Sequence, residues 1–381
     1  MQLQLPEPGP EAQAASLALQ QRIADEIERQ GGWISFARYM ELALYAPGLG
    51  YYSGGAAKLG KDGDFTTAPE ITPLFGKTLA NLTATLMAQT APRLMEFGAG
   101  TGRLAFDILT ELKAQGVLLT SYAIVELSGE LRGRQQELLR DFPEVRWLDR
   151  LPEAFSGVVV GNEVLDAMPV ELVVKTADGW ALRGLRLEDG RLAYEDRPCP
   201  SDMVRQIPEA GSLMEGYLTE IHPQAQAFMH ALGAMLAAGG KACAILIDYG
   251  FPNAEYYLAQ RHQGTLMCHY RHHAHPDPLY LPGLQDITAH VDFTAMAIAA
   301  VESGAELLGY ASQAGFLLAA GLGEILMRTA PEAGAVYLRQ TNAIQRLTSP
   351  AEMGELFKVL VVGKGVTLPD AFVRADRSHR L

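Results

Sequence analysis

The sequence predicts an α/β fold built on a parallel, doubly wound sheet. Three observations carry that expectation. Short apolar runs alternate with helical stretches from Pro92 to Val170, the pattern that parallel strands joined by crossover helices leave in a sequence. A glycine-rich turn, Glu96-Phe97-Gly98-Ala99-Gly100-Thr101-Gly102, joins one apolar run to the helical stretch after it. The chain is also long enough, at 381 residues with 48% hydrophobic and 20% charged, for a sizeable core in two domains or one domain with insertions.

The elements follow in order. Residues 1–15 contain no Lys or Arg and no apolar stretch of the signal-peptide kind, and they read as a disordered leader. Residues 16–90 form a helical and loop region. Leu17, Leu19, Ile23 and Ile27 give 16–31 an amphipathic pattern that Gly31-Gly32 stops, and a second helix spans 36–45 before Pro47-Gly48. From Gly48 to Gly76 glycines are too frequent for the interior of an element, yet aromatic and charged residues recur, as in an ordered functional loop. Residues 73–89 are helical again.

The core is expected over 91–381. LMEF, SYAIVEL, VRWLD and the start of GVVVGNEVLDAMPV read as strands. The helices between them are LAFDILTELKAQG and SGELRGRQQELLRDF. Two insertions interrupt the core: 170–215, hairpin-rich with turns at Asp178-Gly179 and Asp189-Gly190, and 251–290, loop-rich. Between them lie a helix at 223–238 and the strand KACAILIDYG, and the tail is read as the helices TAMAIAAVESG and EMGELFKVL.

Several function classes are excluded. A net charge of −13 argues against a general nucleic-acid binder, which needs a basic face. No stretch approaches 18 uninterrupted apolar residues, so no membrane span is expected. Cys199, Cys243 and Cys268 are odd in number and far apart, which fits a reducing compartment and no cysteine-built zinc site. His269, His272, His273 and His275 do not have metalloprotease spacing and are read as a solvated or substrate-facing loop, so no metal is expected. These features place the chain in the cytoplasm of a bacterium.

The glycine turn is the most specific signal. A dinucleotide loop would need continued spacing to a last glycine, and Arg103 stands there. The observed spacing, led by Glu96, looks like the first motif of S-adenosylmethionine-dependent methyltransferases. Gly98, Gly100 and Gly102 let backbone approach a ligand closely. Glu126 ends the next strand, where a carboxylate can accept hydrogen bonds from ribose hydroxyls. Glu96, the three glycines and Glu126 are therefore the candidate cofactor residues. Asp64, Phe65, Thr67 and Glu70 are candidates for covering the cofactor or, equally, for holding the loop's own turns together.

Four further stretches narrow the reading: GDFTTAPEITPLFG (63–76), VVVGNEVLDAMPVE (158–171), DITAHVDF (286–293) and MGELFKVL (353–360). With the glycine turn, and in this order, they resemble the MidA family over about residues 20 to 365. The resemblance implies a Rossmann-like, seven-stranded methyltransferase sheet with a helical N-terminal region and inserted elements over the active site. It implies S-adenosyl-L-methionine as donor. The family's mitochondrial member is a complex I assembly factor and protein arginine methyltransferase, which implies a protein arginine as acceptor.

The chemistry selects the catalytic candidates. Methyl transfer from a sulfonium is an in-line displacement, in which the enzyme supplies position and helps remove a proton. An arginine acceptor has a pKa above about 12 and a delocalised lone pair. Buried carboxylates can pair and orient its guanidinium. Asn162, Glu163 and Asp166 follow the fourth strand at a carboxyl edge, Glu220 precedes a helix start as a second carboxylate, and Asp248 ends the strand AILIDYG. Asn162 and Asp166 equally suit a cap and a solvent-facing charge, and Glu220 a helix-start charge. Tyr249, Asp286, His290 and Asp292 are candidates for lining the acceptor channel, and each alone also suits a local cap or a core hydrogen bond. Two alternatives stand beside arginine methylation. One is a methyltransferase for another side chain or a small molecule, and the other is an assembly chaperone that uses the cofactor structurally. A homodimer is compatible with the sequence.

Overall fold

The computed structural model describes residues 5–54 and 66–381. The chain divides into two units. One holds the described residues up to 54 with Leu165–Ala225 and Phe251–Asp292, and the other holds Thr66–Val164, Gln226–Gly250 and Phe293–Leu381. The expected division at residue 90 is replaced by this one. Residues 66–90 join the sheet-bearing unit, and the two insertions join the N-terminal helices.

The second unit is built on seven strands: β1 (Arg93–Phe97), β2 (Ser121–Val125), β3 (Val145–Leu148), β4 (Gly157–Asn162), β5 (Ala242–Phe251), β6 (Glu306–Ser312) and β7 (Phe357–Lys364). They run side by side as β6-β7-β5-β4-β1-β2-β3. The five from β5 to β3 are mutually parallel, and β7 is antiparallel to both of its neighbours. The strand order reverses between β1 and β4, so their carboxyl ends flank a switch point, where doubly wound sheets bind ligands. β4, β5 and β7 read as unbroken apolar runs because helices cover both faces; Val158, Val160, Ile245, Val359 and Val361 are all buried in one cluster with Leu104 and Ile108. The helices Pro73–Met87 and Arg103–Ala114 pack against each other in this core. Gly76 permits their close approach, since a Cβ there would lie 2.6 Å from the Asp107 Cβ.

The first unit is antiparallel. Ile34–Ser35, Gly179–Glu188, Glu171–Thr176 and Leu218–Ile221 pair in that order, with Arg191–Pro198 on Gly179–Glu188. Asp189 and Gly190 form the expected two-residue turn, with φ of 49° and 75°. A three-stranded sheet joins His273–His275, Met267–Tyr270 and Asp286–Thr288.

Three elements differ from expectation. The first helix opens at Pro10, inside the segment read as a disordered leader. Proline at its start, Glu11 in the first turn and a run of alanines all favour it. MGELFKVL is not one helix: Met353–Leu356 makes a single turn and β7 begins at Phe357. Val359, Val361 and Val362 lie fully in the core of the sheet, where branched side chains suit a strand. Residues 251–290 are loop-rich as expected, but they also hold the three-stranded sheet, which the sequence alone did not place. Among the described residues no helix is long and apolar enough to cross a membrane.

Candidate functional site

The glycine turn leaves β1 at the switch point. Gly98, Gly100 and Gly102 have φ of 58°, 53° and 85°, values that only glycine adopts freely. Gly98 N–H donates to the Val125 carbonyl at 3.0 Å, which ties the turn to β2. Gly102 caps the helix Arg103–Ala114 from the left-handed region. The Thr101 hydroxyl donates to Glu70, so one of the four covering candidates meets the turn. Thr67 precedes the short helix Ala68–Ile71 that carries Glu70, and Asp64 and Phe65 lie outside the described residues.

Two carboxylates stand behind the turn. Glu96 is 2% exposed and accepts the Tyr122 hydroxyl at 2.5 Å. Burial raises its pKa to about 7; the nearby Glu126 charge adds to the rise and the Tyr122 hydrogen bond opposes it. Glu96 thus supports the turn from inside. Glu126, at the end of β2, also has its pKa raised by burial, against hydrogen bonds from the Ser128 and Leu127 backbone and from Gln135. The Ser128 N–H lies 2.8 Å from Oε1 and the Gln135 amide 2.9 Å from Oε2. Three donors against about four lone-pair sites leave capacity for a further hydroxyl.

The end of β4 forms the facing wall. Glu163 holds φ at 54°, a strained value for a side-chain-bearing residue. Two bonds fix it there. Its own N–H donates to the Ile247 carbonyl at 2.8 Å, and the next N–H, of Val164, donates to Asp248 Oδ2 at 3.0 Å. Asp248 is 1% exposed and also accepts the Tyr249 N–H, so it holds the turn. Asn162 Nδ2 donates to Glu163 Oε1 at 3.0 Å, while Asn162 Oδ1 is buried with no hydrogen-bond partner among the described residues. A Cβ on Gly98 would lie 3.4 Å from the Val164 side chain, so the two turns touch. Tyr249, part-exposed at the end of β5, stacks edge-on with Phe357. Glu96, the three glycines, Glu126, Asn162, Glu163, Asp248 and Tyr249 therefore share one carboxyl edge.

The remaining candidates belong to the other unit and have internal tasks there. Glu220 is neither a helix-start charge nor an open carboxylate. It lies in a strand, fully buried, and accepts the Thr265 and Leu266 N–H groups and the Tyr256 and Thr265 hydroxyls. Gly264 is required beside it, since a Cβ would come within 2.3 Å of its carboxylate. Asp286 accepts the Tyr52 hydroxyl and the Ile287 N–H. Asp292 is buried and hydrogen-bonds Tyr257. The His290 N–H donates to the Thr265 hydroxyl and its ring leans on Phe251. Asp166 is buried rather than solvent-facing, and its carbonyl accepts the Ala289 N–H. The histidine run forms a hairpin turning at Arg271 and His272, and among the described residues no three His, Cys, Asp or Glu gather as metal ligands.

Sequence reasoning missed Gln135. It is fully buried, and its amide bridges Glu126 and the Gly100 carbonyl. In sequence it is one glutamine in a charged helix, with nothing to mark it as inward-facing.

The comparisons with known proteins converge on one group. Residues 74–311 match a family model described as "Putative S-adenosyl-L-methionine-dependent methyltransferase". The chain belongs to this methyltransferase family. The mouse mitochondrial protein arginine methyltransferase NDUFAF7 is 30% identical over 86% of this chain and 80% of its own length. The Caenorhabditis elegans homologue is 30% identical over 72% of this chain and 70% of its own. A COG1565 superfamily protein from Burkholderia thailandensis, crystallised with S-adenosyl-homocysteine, superposes with a TM-score of 0.94. It is 54% identical, over 99% of this chain and 100% of the other. The family's cofactor is S-adenosyl-L-methionine, and this chain's residues fit it: the positive-φ glycines open the turn's backbone and Glu126 retains acceptor capacity.

Proposed function

We propose that the chain methylates an arginine side chain of a partner protein. The observation that carries this reading is the turn at residues 162–164, where backbone strain and two hydrogen bonds hold Glu163 part-exposed beside the glycine turn. Such strain persists where surrounding structure over-determines it, typically at functional sites. The names of the curated relatives support arginine as the acceptor.

When bound, S-adenosyl-L-methionine supplies a methyl group already activated as a sulfonium. The glycine turn and Glu126 hold the donor, Glu126 through a ribose hydroxyl. Glu96 and Glu70 support the turn. Glu163 pairs with the acceptor guanidinium, and Asn162 Oδ1, which has no partner among the described residues, accepts from one of its N–H groups, so the attacking nitrogen is oriented. Asp248 fixes the turn, and Tyr249 borders the acceptor. With no disulfide among Cys199, Cys243 and Cys268, a reducing compartment suits the chain, and we place it in the bacterial cytoplasm. The test is incubation of purified protein with labelled S-adenosyl-L-methionine and lysate from cells lacking the gene, followed by acid hydrolysis. Label in methylarginine supports the reading; label only in other methylated products overturns it.

A further inference from the structure

We infer that Gln135 is a positioning residue for the cofactor, fixing the Glu126 carboxylate and the glycine turn in register so that Glu126 meets a ribose hydroxyl. The inference rests on the ribose reading of Glu126. Gln135 is the buried residue of the helix Gly129–Leu138. A buried amide is costly unless its bonds are made, and this one makes three: Nε2 to the Gly100 carbonyl and to Glu126 Oε2, each at 2.9 Å, and Oε1 from the Trp147 indole at 2.9 Å.

The indole decides the amide's orientation. Trp147 can only donate, so Oε1 must face it and both hydrogens of Nε2 must face the turn and Glu126. One planar group therefore ties the end of β2, the middle of the glycine turn and the edge strand β3. The Gln135 Cγ also lies 3.4 Å from where a Cβ on Gly102 would stand, so its stem packs on the same turn. The amide's saturated bonding to two candidate cofactor groups is what packing alone does not require.

The test uses Gln135→Met and Gln135→Glu in the full chain, with calorimetry and thermal melts. The ligands are S-adenosylhomocysteine and its 2′-deoxy and 3′-deoxy analogues. Wild type should lose about ten- to hundredfold in affinity when the hydroxyl facing Glu126 is deleted, the range for a charge-assisted hydrogen bond. Gln135→Met should bind the parent ligand about tenfold more weakly, and its penalty for the same deletion should shrink below about threefold. Gln135→Glu keeps the acceptor for Trp147 but sets a second carboxylate against Glu126. Its binding should be at least tenfold weaker at pH 8 and recover towards pH 5.5, as the pair takes up a proton. A full deoxy penalty in Gln135→Met, whatever its melting temperature, would make Gln135 merely structural and sink the inference. If that variant does not fold, a pH-independent affinity in Gln135→Glu sinks it instead. Indifference of wild type to both hydroxyls would overturn the ribose reading of Glu126 and this inference with it.

Discussion

Glu96→Gln removes a carboxyl group whose ionisation the fold opposes. Glu96 is fully enclosed behind the glycine turn, and burial lifts its pKa from 4.5 to about 7. A pKa raised on folding means that the native state holds the proton more tightly than the unfolded chain. The resulting stabilisation is complete below pH 4.5 and is lost as pH rises through 7. That interval corresponds to roughly 3 kcal/mol, at about 1.4 kcal/mol per pH unit. Glutamine keeps an acceptor for the Tyr122 hydroxyl and carries no titratable proton. Other buried carboxylates, Glu126, Glu171 and Glu220 among them, shift in the same direction and remain in both proteins. The informative quantity is therefore the difference between variant and wild type. Urea denaturation at half-unit steps from pH 4.5 to 8 should show Glu96→Gln gaining about 3 kcal/mol on wild type across the series, most of it before pH 7. Parallel stability profiles would refute the reasoning, because they would mean Glu96 titrates alike in the folded and unfolded chain.

Three further outcomes are expected. Gly100→Val places a branched side chain at φ 53°, and calorimetry should find S-adenosylhomocysteine binding weakened by at least about a hundredfold. Glu126→Ala should remain folded and bind the same ligand about ten- to hundredfold more weakly, and unchanged affinity would remove it from the ribose. Glu220→Gln turns an amide donor towards backbone and hydroxyl donors in a sealed site, and chemical denaturation should register a loss of at least about 2 kcal/mol.

The parallel core was legible because its strands are buried on both faces and its helices are amphipathic. β1 to β5 stand where apolar runs punctuated by glycines placed them. β7 was not, since Phe357–Lys364 follows a helical turn and a continuous apolar run does not reveal its period. Nor was the hairpin at Arg271-His272, where two side-chain-bearing residues take the positive φ values that glycine or asparagine usually signals. In the candidate site, the glycine spacing and the acidic residue ending β2 carry their chemistry in local sequence. Glu220 does not: its partners Tyr256 and Thr265 lie 36 and 45 residues away, and only the fold shows that they saturate it. The strain at Glu163 is equally invisible in sequence, because it is imposed by β5 through Ile247 and Asp248.

The most direct test of the central claim compares wild type with Glu163→Gln in cells lacking the gene, with methylarginine mapped across the proteome. The substitution preserves size and removes the charge assigned to the guanidinium. A methylarginine site lost with the gene should return with wild type. Glu163→Gln should leave it at least about a hundredfold less modified in single-turnover assay, the scale for an orienting or acid–base group. The purified variant should still bind S-adenosylhomocysteine within about threefold of wild type, since no cofactor contact is assigned to Glu163. Full restoration of the site by Glu163→Gln, or no methylarginine lost with the gene, would contradict the claim.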